Sequence, residues 1–247
     1  MTGSLAQRLM VRQIQTKFTS VAGQNIDDMP YNPDDPLEKQ VISSVESSLH
    51  NLRTSGDKAG EDTYLDCLVL HSPMSTREDT LTVWRTLEKF ITETSPPRIH
   101  HLGISNVPHV SILKDLYEAA HIKPSVVQNR FHAETGYDRA IRRFCEERGM
   151  VYQSFWTLTA NPHLLNSLPV QRLADKAEID KEVALYCLVL GLKNTVVLDG
   201  TTNEGRMKGD LAGVKKVSDW IRIDGKPFWE DSLGKFMGII NRYKMEI

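Results

Sequence analysis

Short apolar runs rich in β-branched residues alternate along this chain with longer stretches whose apolar positions return every three or four residues. Few features limit a fold more. A strand period that repeatedly gives way to a helical one marks successive βαβ units, in which single-faced helices cover a parallel sheet. Strands are predicted at residues 11–18, 64–71, 99–105, 125–131, 150–156 and 195–199.

Between the first two, Leu37, Val41, Val45, Leu49 and Leu52 place one apolar stripe on a predicted helix. Ser75, with Glu78 three residues on, reads as a capping box opening a helix that turns Leu81, Trp84, Leu87 and Ile91 inward, and Pro96 and Pro97 stop it. Further helices are predicted over 108–120, 138–148 and 181–192, the last with Asp180 as its N-cap. The polar loop 21–36 is long for a connection inside a domain and reads either as a binding rim or as a surface excursion. Crossovers of this length imply an α/β fold of TIM type, a (β/α) barrel or part of one, with about six βα units. Residues 1–220 are assigned to the barrel. Residues 221–247, with Phe228, Trp229, Phe236, Ile239 and Ile240, are read as a tail whose short helix packs on it.

With 40% apolar and 25% charged residues, the 247-residue chain has material for a sizeable core. Its net charge of -2 supplies no basic field, so neither nucleic acid nor membrane is expected as a partner, and a small molecule is. Cys67, Cys145 and Cys187 lie in apolar patterns without CxxC spacing or histidines at metal-ligand intervals, so they read as buried thiols and no metal is expected. No segment approaches the ~18 apolar residues of a membrane span, and the N-terminus lacks the apolar core of a secretory signal. A reducing, cytoplasmic setting is expected.

Some polar residues sit where packing does not call for them. Lys17 stands at the end of an apolar strand, where burying an ammonium is costly unless it is paired. His71 follows the apolar run Cys67 to Leu70, at a strand end from which a histidine can donate a hydrogen bond to a carbonyl. The run from Gly200 to Arg206 follows a strand and precedes a helical stretch, so its backbone N–H groups can meet a phosphate, with Arg206 gripping a 2′-phosphate. A plain turn with a solvated arginine is the rival reading. The other histidines show no partner spacing that suggests a metal.

The ordered set QTKF at 15–18, LVLHSP at 68–73, LGISNV at 102–107, SVVQNRF at 125–131, VYQSFWTLTANP at 151–162 and LDGTTNEGRM at 198–207 resembles the aldo-keto reductase family over roughly residues 11–217. Each fragment alone is weak. In order, at the carboxyl ends of predicted strands, they are specific, because such barrels build their active sites at that face. The resemblance implies an oxidoreductase that uses NADPH to reduce an aldehyde or ketone. Lys17 matches the lysine that lowers the pKa of a catalytic tyrosine, and His71 the histidine that orients the substrate carbonyl. Ser105, Asn106 and Gln128 match the trio that holds the nicotinamide carboxamide, and Phe155 the ring that stacks on the nicotinamide. Thr201, Thr202, Asn203 and Arg206 match the loop and helix start at the adenosine phosphate end, with Asp210 near the adenine.

The pattern is not complete. Family members carry two βα units before the QTKF strand, with a catalytic aspartate and a proton-donating tyrosine, whereas the sixteen residues before Lys17 contain neither residue type. Tyr31 and Tyr64 are unconvincing substitutes. Trp156 stands where a small serine is usual, and Gly200 where many NADP-specific members have lysine. An opening strand that is the family's third leaves sheet edges, so an open barrel, a rearranged N-terminus or a second copy covering the edges is expected. Two other functions stay open: an isomerase, dehydratase or cyclase reusing the pocket, and a non-catalytic scaffold.

Overall fold

The computed structural model describes residues 13–53 and 63–243. Six parallel strands follow one another in chain order, β1 (Gln15–Phe18), β2 (Leu65–Leu70), β3 (Ile99–Ser105), β4 (Val126–Arg130), β5 (Val151–Phe155) and β6 (Thr195–Val197), with helices in the crossovers. β3 coincides with its predicted run, and the other five lie inside theirs, trimmed by a few residues. Positions 11 and 12 of the first prediction lie outside the described residues. In the strand order β1 and β6 stand at the two ends. The chain divides within β4 into two compact units, Gln13–Gln128 and the residues from Asn129 onward.

In the first unit β1, β2 and β3 pair in register, with Lys17 opposite Val69 and Val69 opposite Gly103. Strands covered on both faces read as nearly continuous apolar runs, and Leu65, Leu68, Val69 and Leu70 of β2 are all buried. Gly103 is needed for closeness: a Cβ there would stand 3.0 Å from Val126 and 3.1 Å from Val69. Helix α1 (Leu37–Asn51) buries Val41, Val45 and Leu49, but the stripe ends early, since Leu52 is its C-cap and 40% exposed. Helix α2 (Arg77–Thr92) buries Leu81, Trp84 and Leu87, as predicted, while Ile91, also predicted to face inward, is half-buried. Its cap differs from the prediction by one residue. Thr76, not Ser75, is the N-cap and accepts from the Asp79 N–H at 3.0 Å, while its hydroxyl donates to the Asp79 carboxylate. Fully buried Trp84 donates to the Ile122 carbonyl at 3.0 Å, and Glu88 accepts from the Ile122 N–H, which fixes the approach to β4 after helix α3 (Val110–Ala119).

The second unit is mostly helical. Helix α4 (Arg139–Arg148) precedes β5; α5 (Pro162–Leu165) and α6 (Leu168–Ala177) follow it, where no helix was predicted. Helix α7 (Lys181–Leu190) buries every residue from Val183 to Val189, because it packs against α6, β6 and α8 (Glu204–Trp220) at once. Asp180 is its N-cap by backbone angle, yet its side chain makes no capping bond. Helix α8 runs into a single π turn (Ile221–Gly225), where the Trp220 indole fills the space a side chain at Gly225 would need. The segment read as a short-helix tail is then α9 (Lys226–Ile240), which packs on α6 and α7. Among the described residues no helix is long and apolar enough to cross a membrane.

Candidate active site

Five of the expected site residues share the first unit, at the carboxyl ends of β1 to β4. Lys17 precedes fully buried Phe18, and burial pushes its ammonium pKa below the ordinary lysine value. His71 follows β2 and donates its backbone N–H to the Phe18 carbonyl at 2.8 Å. Its imidazole pKa is pushed down, first by burial and then by the positive charge of Lys17. Such an imidazole is neutral near pH 7 and carries one ring N–H to donate.

Asn106 ties this pair to the amide-bearing residues. Its backbone sits at φ 51, a left-handed angle that asparagine tolerates, and its side-chain N–H donates to the His71 carbonyl at 2.8 Å. The buried Ser105 hydroxyl donates to the Gln128 carbonyl at 2.6 Å, and the Asn106 N–H donates to the same oxygen at 3.1 Å. Three strand ends are thereby laced into one polar belt. Among the described residues nothing donates to the side-chain oxygen of Asn106, the atom suited to a carboxamide NH2. The nicotinamide end of a dinucleotide therefore fits these residues.

Loop 21–36 folds back on this site through two 3-10 turns, Val21–Gly23 and Ile26–Asp28. A Cβ on Gly23 would stand 3.6 Å from His71 Nδ1, so the first turn lies against the imidazole. Tyr31 is buried against Phe18 and donates to the Thr19 carbonyl at 2.7 Å. Burial raises its pKa, which suits an anchor for the loop rather than a proton donor.

The remaining expected residues lie in the second unit. Phe155 ends β5, with its ring edge-on to Trp156 at 6.0 Å. The run after β6 is braced by its own side chains: Thr201 N–H donates to Asp199 (3.0 Å), Asn203 N–H to the Thr201 hydroxyl (3.2 Å) and Arg206 N–H to the Asn203 side-chain oxygen (2.9 Å). Three of the backbone donors of the run are thus committed to neighbouring side chains, and Thr202 and Arg206 are exposed. Asp210 carries a pKa raised to about 6 by partial burial, by the charge of Asp199 and by a hydrogen bond with it. The residues expected at an adenosine phosphate thus include one exposed arginine, Arg206, and an acidic pair, Asp199 and Asp210.

Sequence reasoning passed over Arg130. It ends β4, exposed, with its guanidinium 4.5 Å from the centre of the Trp156 ring. The signal that drew attention to Lys17, a cation at the tip of an apolar strand, was present there too. Cys67, Cys145 and Cys187 are buried, and burial pushes each thiol up to about 12, which makes them poor nucleophiles. Among the described residues no group of three His, Cys, Asp or Glu side chains is placed to hold a metal. A mainly apolar groove of about 360 Å³ in the second unit, walled by Cys187, Leu190, Val214, Val217 and Trp229, is lined by none of the expected site residues.

Comparison with known proteins identifies the family. Residues 12–166 match the model of the Aldo/keto reductase family. The uncharacterized oxidoreductase YtbE of Bacillus subtilis is 33% identical over 165 residues, 66% of this chain and 55% of that protein. The NAD/NADP-dependent indole-3-acetaldehyde reductase of Schizosaccharomyces pombe is 28% identical over 128 residues, 50% of this chain and 43% of that protein. The chain thus spans about half the length of these curated relatives. Among solved structures, aldose reductase from Giardia lamblia superposes with a TM-score of 0.66 at 17% identity, over 95% of this chain and 74% of its own. A Gox0644 variant in complex with NADPH gives 0.62 at 18% identity, over 94% and 72%. By its family match and by the order of its strands, the chain belongs to the aldo/keto reductase family.

Proposed function

We propose that the protein is a nicotinamide-dependent oxidoreductase that reduces an aldehyde or ketone of a small molecule, with NADPH as the reductant. A single observation carries the reading: Lys17, His71 and the Ser105, Asn106 and Gln128 belt meet at adjacent strand ends, with the His71 imidazole sensing the Lys17 charge. A bound nicotinamide dinucleotide supplies the hydride. Asn106 and Gln128 hold its carboxamide. The neutral His71 donates a hydrogen bond to the substrate carbonyl oxygen, which draws charge toward that atom as the carbon accepts hydride. Lys17, an ammonium with a depressed pKa, releases a proton more readily than a solvated lysine and supplies it to the same oxygen directly or through His71. A tyrosine matching the family's proton donor is not among the residues assigned here, and substituting another acid costs ~10² to 10⁴ in rate.

Titration with NADPH, followed by aldehyde-dependent loss of the reduced-nicotinamide absorbance, tests the reading. Saturable binding is expected, with turnover abolished in Lys17→Met while nucleotide binding persists. Conversion of a carbonyl compound with no nucleotide present would instead favour a non-redox enzyme built on the same pocket.

A further inference from the structure

The Arg130 and Trp156 pair is not accounted for by folding. Trp156 is 54% exposed, so most of the burial free energy of an indole is forgone. Its backbone lies at φ 58, a left-handed angle that costs a bulky residue ~1 kcal/mol or more. Yet the turn is locked. Fully buried Asn161 donates its side-chain N–H to the Phe131 and Thr157 carbonyls at 2.5 and 3.1 Å, and the Ala160 N–H donates to the Trp156 carbonyl at 3.0 Å. The Ser154 and Thr157 hydroxyls are bonded at 3.0 Å beneath it, and the Phe131 N–H reaches the Phe155 carbonyl at 3.0 Å. A strained, exposed indole is thus fixed in place by buried polar bonds at the tip of β5.

Arg130 completes the pattern. Among the described residues its guanidinium makes no side-chain hydrogen bond or ion pair, and it lies over the Trp156 ring. A guanidinium held over a ring face without other side-chain partners keeps its N–H groups available to a carboxylate or phosphate, which it can take in bidentate fashion. Both residues stand at the carboxyl ends of parallel strands, where barrels of this type receive ligands.

We infer that Arg130 and Trp156 form a binding point for the oxyanion group of a ligand, with Arg130 gripping the anion and Trp156 holding the guanidinium in place. This rests on the carbonyl-reductase reading, under which the oxyanion belongs either to the diphosphate of the dinucleotide or to the carboxylate of an oxo-acid substrate. Tryptophan fluorescence of the full chain, titrated in separate arms with NADPH and with a short 2-oxo acid, distinguishes the two. Trp156→Phe identifies the responding indole. Arg130→Met, at an exposed position that leaves the fold intact, is expected to weaken binding in one arm about tenfold or more, and Arg130→Lys to recover part of the loss. Weakening confined to NADPH assigns the diphosphate; weakening confined to the oxo acid, with a neutral aldehyde of the same length turned over as by the wild type, assigns the carboxylate. Equal affinities of wild type and Arg130→Met in both arms would overturn the inference while leaving the reductase reading in place. If the wild type binds neither probe and reduces no aldehyde, both fall.

Discussion

The two units built from this chain differ in where they hold strain. Among the described residues between Gln13 and Gln128 one non-glycine residue, Asn106, has a left-handed backbone, and it belongs to the candidate site. Among the described residues from Asn129 onward there are five: Tyr137, Asp138, Trp156, Glu178 and Asn194. Some are compensated by structure. Asp138, in a run of left-handed residues after Gly136, is buried and accepts from Asn129 at 2.7 Å and from Tyr152 at 3.0 Å. Neighbouring Tyr137 is fully buried, with its hydroxyl 2.6 Å from His163 Nε2. Trp156 has no such burial. The first unit is regular βα structure with its polar groups at the strand ends; the second spends conformational free energy on particular turns, and only some of those turns repay it by packing.

Substitutions sharpen that contrast. The largest effect is expected in the first unit: Lys17→Met abolishes detectable aldehyde reduction at saturating nucleotide, a loss of well over about 10² in rate. Trp84→Ala, also in the first unit, costs about 3–5 kcal/mol in denaturant unfolding, since it empties a fully buried site and orphans the Ile122 carbonyl. In the second unit Arg206→Ala is expected to weaken NADPH about tenfold and NADH little, because only the former carries a 2′-phosphate; equal losses would remove Arg206 from the cofactor site.

The smallest effect depends on pH. The carboxyl of Asp210 titrates at about 6, above the aspartate range, so it favours the folded state fully below about pH 4 and the contribution is lost as pH rises through about 6. Asp210→Asn is therefore expected to raise the melting temperature at pH 7.5 and not at pH 4, by an amount worth at most about 1 kcal/mol after solvent screening. A gain that is the same at both pH values would show that the Asp199 and Asp210 repulsion plays no part.

Legibility in the sequence followed the same division. All six strands could be read from the sequence, most plainly β2, whose nearly continuous burial leaves little choice of residue. The Leu81, Trp84 and Leu87 face was read for the same reason. Lys17, His71 and the amide trio stood out because the strand pattern places them at tips. What was missed depends on side-chain geometry: Thr76 takes the cap from Ser75 by one residue, and Asp180 occupies a cap position without bonding. The helices at 162–177 pack on one another through a short turn whose period is too brief to detect. Nothing in the sequence shows that the N–H groups of Thr201, Asn203 and Arg206 are engaged by neighbouring side chains. The stacking of Arg130 on Trp156 joins residues on different strands, which periodicity does not report.

Hydride transfer itself can be followed. When the protein is incubated with NADPH deuterated at the transferring position of the nicotinamide and with an aromatic aldehyde, the alcohol formed should carry deuterium on its carbinol carbon, and the Lys17→Met variant should form none. Unchanged aldehyde with the wild type, or a product without the label, would contradict the assignment of these strand ends to carbonyl reduction.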